Sequence, residues 1–83
     1  MALLIPPAVV KELAALPKAD RKRLLDALEA IAAEPHKRFP FVTPLVGQAG
    51  IFRARKGDWR AVFRIEHGDV ILDRVRHRRE VYQ

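Results

Sequence analysis

The sequence predicts an α+β fold in which an N-terminal αα-hairpin packs on a small antiparallel β-sheet, formed by a short first strand and a three-stranded meander. Two observations support this prediction. Apolar residues recur at helical spacing between residues 7 and 34, whereas from residue 51 onward they alternate with basic residues. At 83 residues the chain is near the lower size at which a single core is self-sufficient, so we expect one domain over residues 1–83.

The N-terminal part predicts a short strand and two helices. The strand is expected at Met1 to Ile5, and the first helix at Pro7 to Leu16, because proline suits a first helical turn. The second helix opens at Lys18 and is ended by Pro35, with Asp20 as its N-cap or first-turn acid. The apolar stripes of both helices predict that the hairpin covers one face of the sheet.

The segment from His36 to Gly50 is interpreted as a loop, because it contains two prolines and two glycines. Its many apolar residues are unlike those of a disordered linker. We therefore expect part of this loop to lie against the core.

Three strands follow, starting at Ile51, Trp59 and Val70, with tight turns around Gly57 and Gly68. Successive side chains of a strand point to opposite faces, so alternation sorts the basic residues onto one side. The arginines on that side are Arg53, Arg55, Arg60, Arg64, Arg74, Arg76 and Arg78. A sheet with one apolar and one cationic face predicts a polyanionic partner.

Asp73 breaks the alternation of the third strand, because it shares its side with the apolar Val75. A β-bulge or a change of face near Asp73 would restore the pattern. The side taken by His77 is left open for the same reason.

Composition narrows the classes of function. The net charge of +6 and a pI near 10.5 favour nucleic acid, an anionic membrane surface or an acidic protein as partner. Cysteine is absent, and no spacing of His, Asp and Glu or glycine-rich loop suggests a metal or a nucleotide, so we expect no cofactor. The apolar start at Ala2 to Ile5 is too short for a signal or a membrane span, which predicts a soluble cytoplasmic protein with no membrane partner.

Four motifs then stand in a distinctive order: Leu45-Val-Gly47, Phe52-Arg-Ala-Arg55, Gly57-Asp-Trp-Arg60 and the terminal His77-Arg-Arg-Glu-Val-Tyr82. After a helical hairpin, this order resembles the RelE/ParE toxin superfamily of bacterial type II toxin–antitoxin modules. The short length and the basic pattern are similar to the RelE branch. The resemblance implies a toxin that cleaves mRNA on the ribosome, inhibits translation and is silenced by a small acidic antitoxin.

The resemblance implies catalytic roles for Arg60, Arg78 and Tyr82 and RNA binding by Arg53 and Arg55. Alternation adds three arginines to the expected RNA-binding surface, namely Arg64, Arg74 and Arg76. This chain departs from the family pattern at Arg76, where a glycine is common, and it lacks a paired-lysine base.

In RNA cleavage of this type, the 2′-hydroxyl of the RNA attacks the adjacent phosphorus. The reaction needs a base that removes the hydroxyl proton, stabilisation of the charge at the phosphorus, and a proton or cation for the leaving 5′-oxygen. Arginine supplies the stabilisation, because its planar fork binds phosphate oxygens in pairs. It stays protonated, however, and cannot be the base. The base is therefore Tyr82, whose pKa neighbouring guanidiniums would lower, or His77, with Glu80 and His67 as weaker candidates. We favour Tyr82.

Two other functions fit the sequence. A ParE-type toxin acts on DNA gyrase rather than on RNA and would not need Arg78 and Tyr82 for catalysis. A basic RNA-binding module without chemistry would need only the cationic sheet.

Overall fold

In the computed structural model, which describes residues 2–80, two helices pack on one face of a five-stranded mixed sheet. The elements are β1 (Leu3–Leu4), α1 (Pro7–Ala14), α2 (Lys18–Ala33), β2 (Val42–Pro44), β3 (Ile51–Lys56), β4 (Trp59–Glu66) and β5 (Asp69–His77). The strand order is β1-β5-β4-β3-β2, with β1 parallel to β5 and all other neighbours antiparallel. The predicted α+β class, the helical pair and the β3–β4–β5 meander are confirmed. The sheet is not antiparallel throughout as predicted, because β1 joins it parallel to β5.

Both helices follow prolines and end slightly earlier than predicted. Helix α1 ends at Ala14 rather than at Leu16, although Leu16 is still buried just beyond it. Asp20 lies in the first turn of α2 as predicted, but the N-cap position belongs to Pro17 and no side chain caps this end. No helix within residues 2–80 is long and apolar enough to cross a membrane.

The core lies between the helices and the near face of the sheet. Leu24 and Leu28 of α2 and Leu72 of β5 are completely buried. Phe63 of β4 is 1% exposed, and its ring stacks on that of Phe52 with 5.6 Å between centroids. Burying each of these side chains contributes about 1.5–3 kcal/mol.

The segment interpreted as a loop contains one strand, β2, which pairs with the outer edge of β3. Prolines are tolerated in edge strands, where their missing N–H faces away from the ladder. Pro44 has this position, and the N–H of Val42 is already bonded to the carbonyl of Phe39. The outward side of β2 therefore presents no N–H group to a further strand, which protects this edge from pairing.

A bulge at Asp73 restores the alternation of β5, as predicted. The register passes from Val62 opposite Arg74 to Phe63 opposite Leu72, which leaves Asp73 as the extra residue. Val75 and Leu72 consequently both face the core. The predicted strand at Met1 to Ile5 is regular only over β1, and Met1 lies outside the described residues.

Candidate functional site

The side of the sheet away from the helices, which we call the outer face, carries most of the predicted arginines. The register places Arg55, Arg60 and Arg76 next to one another in a row across β3, β4 and β5. The next row holds Arg53 and Arg74 on either side of Val62. Neighbouring strands are about 4.8 Å apart, so these guanidiniums occupy a compact area close to the β3–β4 turn.

Arg64 shares the outer face but is held by two carboxylates. Its Nε donates to Asp73 Oδ1 at 3.1 Å, and its Nη1 donates to Glu66 Oε1. The hydrogen bond to Asp73, followed by that to Glu66, raises the pKa of the Arg64 guanidinium above its ordinary value. This half of the outer face, toward the β4–β5 turn, therefore sets two carboxylates against one guanidinium and offers no net positive charge.

Arg76 is bound at the edge of the sheet by Glu12 of α1. One carboxylate oxygen of Glu12 accepts from Arg76 Nη1 at 2.6 Å, and the other accepts from the backbone N–H of Val75 at 2.8 Å. Strand β1 pairs only with Val70 and Ile71, so among the described residues the later part of β5 has no neighbouring strand on that side. The Glu12 carboxylate accepts the backbone N–H of Val75 there in place of a strand. Arg76 links α1 to β5 in addition to standing in the arginine row.

Arg60 and Arg78 both contact residues at the β3–β4 turn. Nη1 of Arg60 donates to the carbonyls of Gly57 at 2.9 Å and Trp59 at 3.0 Å. The backbone N–H of Arg78 donates to the carbonyl of Asp58 at 2.7 Å, and its Nε lies 3.5 Å from Asp58 Oδ1. The turn therefore holds two of the predicted catalytic side chains near each other, whereas Tyr82 lies outside the described residues.

His77 is on the opposite side of the sheet from these arginines. It lies across from Trp59 in the register, and the two rings meet edge to face with 5.3 Å between centroids. Its Nδ1 accepts the backbone N–H of Arg79 at 3.3 Å. His77 therefore lies on the helix side of the sheet, away from the arginine rows.

The remaining sequence candidates are exposed. Arg55 and Arg74 form no ion pair with any residue in the described range 2–80. His67 lies in the β4–β5 turn, at the end of the sheet opposite to Arg60, and Glu80 lies in the terminal turn beyond β5. Among residues 2–80, no group of three or more His, Asp and Glu side chains is arranged to hold a metal ion.

Sequence reasoning did not identify Glu12 and Asp20 as parts of this site. Asp20 Oδ2 accepts the indole N–H of Trp59 at 3.1 Å, across 39 residues of sequence. A contact between residues so far apart in the chain is not marked by any local sequence pattern. Only the placement of Asp20 in the first turn of α2 was visible in the sequence.

A groove of about 680 Å³ opens on the helix side, between the end of α2 and strands β2 and β3. Its walls are mostly apolar and include Ile31, Phe39, Phe52 and Ile65. Its rim is basic and is formed by His36, Lys37 and Arg38. The groove thus combines apolar walls with positive charge at its rim.

Comparisons with known proteins agree with this architecture. The family model of the ParE toxin of type II toxin–antitoxin systems (parDE) matches residues 3–82. The chain belongs to this family, within the RelE/ParE superfamily, and is the toxin of a type II toxin–antitoxin system. A comparison with curated proteins finds no match.

Solved structures share the fold. The toxin of the RelB–RelE complex from Methanococcus jannaschii superposes with a TM-score of 0.81 and 23% identity, covering 96% of this chain and 95% of that chain. The archaeal RelE–RelB complex from Pyrococcus horikoshii gives a TM-score of 0.79 and 29% identity, covering 96% of this chain and 97% of that chain. The isolated E. coli RelE toxin gives 0.77 and 21% identity, covering 96% and 88%. The fold is therefore RelE-like.

Proposed function

We propose that this toxin is a ribosome-dependent endoribonuclease that cleaves mRNA in the cytoplasm and thereby inhibits translation. The observation that supports this function is the convergence of Arg60 and Arg78 on the β3–β4 turn, next to the exposed Arg55 and Arg74. A cluster of guanidiniums of this kind binds phosphate oxygens and stabilises the charge that develops on a phosphate under attack.

The reaction we propose is an intramolecular displacement within the RNA. The 2′-oxygen attacks the adjacent phosphorus and loses its proton to a base, while the bond from phosphorus to the 5′-oxygen breaks. The leaving 5′-oxygen takes up a proton, and the products are a 2′,3′-cyclic phosphate and a 5′-hydroxyl. Arg78 and Arg60 would stabilise the negative charge on the phosphate in the transition state. Each such donor typically raises the reaction rate by about 10²- to 10³-fold.

We propose Tyr82 rather than His77 as the base, because His77 lies away from the arginine rows. His77 faces the helices, and its Nδ1 is already an acceptor for the Arg79 amide. A phenol at position 82 would follow directly from the segment that carries Arg78. If guanidiniums lay close to that phenol, they would lower its pKa and increase the fraction that can accept a proton.

We also propose that a small acidic antitoxin silences the toxin. The RelE toxins from Methanococcus jannaschii and Pyrococcus horikoshii were solved in complex with RelB antitoxins. In this chain, the apolar groove rimmed by Lys37 and Arg38 is a suitable surface for a segment that folds on binding. The antitoxin's acidic residues would complement the net charge of +6.

Inhibition of DNA gyrase is the second candidate function, because the matching family model is named for ParE. A ParE-type toxin would not require Arg78 and Tyr82 for chemistry. The two candidates therefore differ in what they expect of variants at these positions.

The test is cleavage of mRNA on translating ribosomes by the purified toxin. We expect 5′-hydroxyl fragments, with much weaker cleavage of free RNA, because the ribosome would supply the orientation that a small chain cannot impose alone. Arg78→Gln should lower the cleavage rate at least about 100-fold. Lys22→Gln is the control, because it removes an exposed positive charge of α2 that is paired with Asp26, and it should retain activity. Equal cleavage of free RNA would contradict ribosome dependence, and gyrase poisoning without RNA cleavage would establish the second candidate.

A further inference from the structure

A series of contacts crosses the molecule from the first turn of α2 to the terminal turn that carries Arg78. Trp59 donates its indole N–H to Asp20 Oδ2 at 3.1 Å. The indole meets the His77 ring edge to face, and His77 Nδ1 accepts the N–H of Arg79 at 3.3 Å. Each contact joins a different part of the fold, namely α2, β4, the end of β5 and the terminal turn.

The first part of this series is fixed by the core. Asp20 precedes Leu24 by one turn of α2, and Leu24 is completely buried. Trp59 and His77 are directly opposite each other on β4 and β5. The indole is half-buried and packs against the core cluster, so its hydrogen bond to Asp20 selects one orientation of a large planar ring.

The terminal turn depends on His77 at two points. The N–H of Glu80 donates to the His77 carbonyl at 2.8 Å, and the N–H of Arg79 donates to the ring Nδ1. A neutral imidazole accepts at Nδ1 only when its proton is on Nε2, so this bond selects one tautomer as well as one ring position. The backbone of Arg78 lies between these anchors and is also held by the Asp58 carbonyl.

We propose that Asp20 and Trp59 are positioning residues for Arg78 and act through His77. The inference rests on the proposed function only in giving Arg78 a role at the phosphate. When the indole loses its bond to Asp20, the His77 ring loses its fixed edge contact and the terminal turn gains freedom. Displacement of a reacting or stabilising group by about 1 Å can lower a rate by about 10²-fold.

A spectroscopic experiment tests the positioning without requiring activity. In the full-length toxin, ¹⁵N NMR at a pH where histidine is neutral should show His77 as the Nε2–H tautomer. Asp20→Ala and Trp59→Phe should each shift it to a mixture of tautomers, whereas Asp20→Asn, which keeps an acceptor oxygen, should preserve the native signal. Unchanged His77 signals in both Asp20→Ala and Trp59→Phe would overturn the inference.

Two controls separate positioning from general loss of stability. Arg23→Gln removes the weak 3.9 Å ion pair with Asp20 but leaves the Trp59 bond, and Asp26→Ala removes an exposed acid from the same helix. Both should leave the His77 tautomer unchanged. We expect the melting temperature of Asp20→Ala to fall by only about 5 °C, which corresponds to the removal of one hydrogen bond.

Kinetics on translating ribosomes give the second readout. Asp20→Ala and Trp59→Phe should lower kcat by about 10- to 100-fold with KM nearly unchanged, and Asp20→Asn should restore kcat. Equal losses in Asp26→Ala, or a change confined to KM, would overturn the positioning role. If the wild-type toxin does not cleave RNA, the proposed function fails, and the tautomer measurement alone decides this inference.

Discussion

At the scale of single residues, internal acids decide which arginines of the outer face remain available to a ligand. Alternation along the strands correctly placed Arg64 and Arg74 on the same face. It did not indicate that Arg64 is bound by Asp73 and Glu66, whereas Arg74 forms no ion pair with residues 2–80. Side-chain partners depend on rotamers and bulge geometry, which a periodic pattern does not contain.

The core provides the clearest prediction at this scale. Phe63→Ala should lower the free energy of unfolding by about 3–5 kcal/mol, because it removes a ring that is 1% exposed and stacked on Phe52. Val10→Ala is the matched control, since Val10 is 51% exposed and its truncation should change stability by less than about 0.5 kcal/mol. Chemical denaturation measures both values. Similar destabilisation of the two variants would show that Phe63 is not central to the core.

At the scale of elements, the sequence predicted the meander well because each strand is marked at both ends. Gly57 and Gly68 adopt positive φ in the two turns, and every second residue between them, from Trp59 to Ile65, is apolar. The bulge was predictable from the conflict between Asp73 and its neighbours. Strand β2 was not, because three residues that end in a proline show no periodicity, and their pairing depends on the edge of β3.

The candidate site was predictable to a similar extent. The terminal motif singled out Arg78 and the turn motif singled out Arg60, and the structure brings both to the β3–β4 turn, while their catalytic roles stay predictions. The side of His77 followed only from the bulge, which shifts the alternation of β5 by one residue. Glu12 could not be found from the sequence, because its bond to Arg76 spans 64 residues.

The two halves of the outer face should differ in their contribution to RNA binding. For a single-stranded oligonucleotide, the slope of log K against log salt falls by about 0.7 for each phosphate that the protein no longer neutralises. Arg74→Gln should reduce this slope by about that amount. Arg64→Gln should leave it unchanged, because Asp73 and Glu66 bind the Arg64 guanidinium, which therefore does not neutralise a phosphate.

Fluorescence anisotropy over a series of salt concentrations measures these slopes. Arg64 provides the matched control, since its side chain carries the same charge as that of Arg74 and lies on the same face of the sheet. Both arginine side chains stay protonated throughout the range in which the protein is handled, so pH does not change the charge of either one. A reduced slope for Arg64→Gln would show that RNA displaces the two acids and that the whole face binds.

At the scale of the whole molecule, the two sides of the sheet offer different chemistry. The outer face presents guanidiniums near the β3–β4 turn, and the helix side presents an apolar groove with a basic rim. Both surfaces favour partners that carry negative charge, but only the groove also buries apolar groups. The groove therefore suits a protein segment, and the outer face suits a phosphate backbone.

Association with the proposed antitoxin should therefore have two separable components. Opposite charges steer encounter, so the association rate should fall as salt increases, whereas apolar contacts in the groove should keep the dissociation rate nearly independent of salt. Arg38→Glu, which reverses a charge at the rim, should lower the association rate by about three- to tenfold and leave dissociation within about twofold. Phe39→Ala, which shortens the groove wall, should instead accelerate dissociation.

Stopped-flow or surface-based kinetics with the product of the adjacent reading frame would measure both rates at low and high salt. Arg23→Gln provides the control, because it removes a positive charge outside the residues that line the groove. If Arg38→Glu and Phe39→Ala both left the kinetics unchanged while the complex still formed, the antitoxin would bind elsewhere. A salt-independent association rate would show that encounter does not depend on the basic charge of the toxin, and the acidic character proposed for the partner would then be wrong.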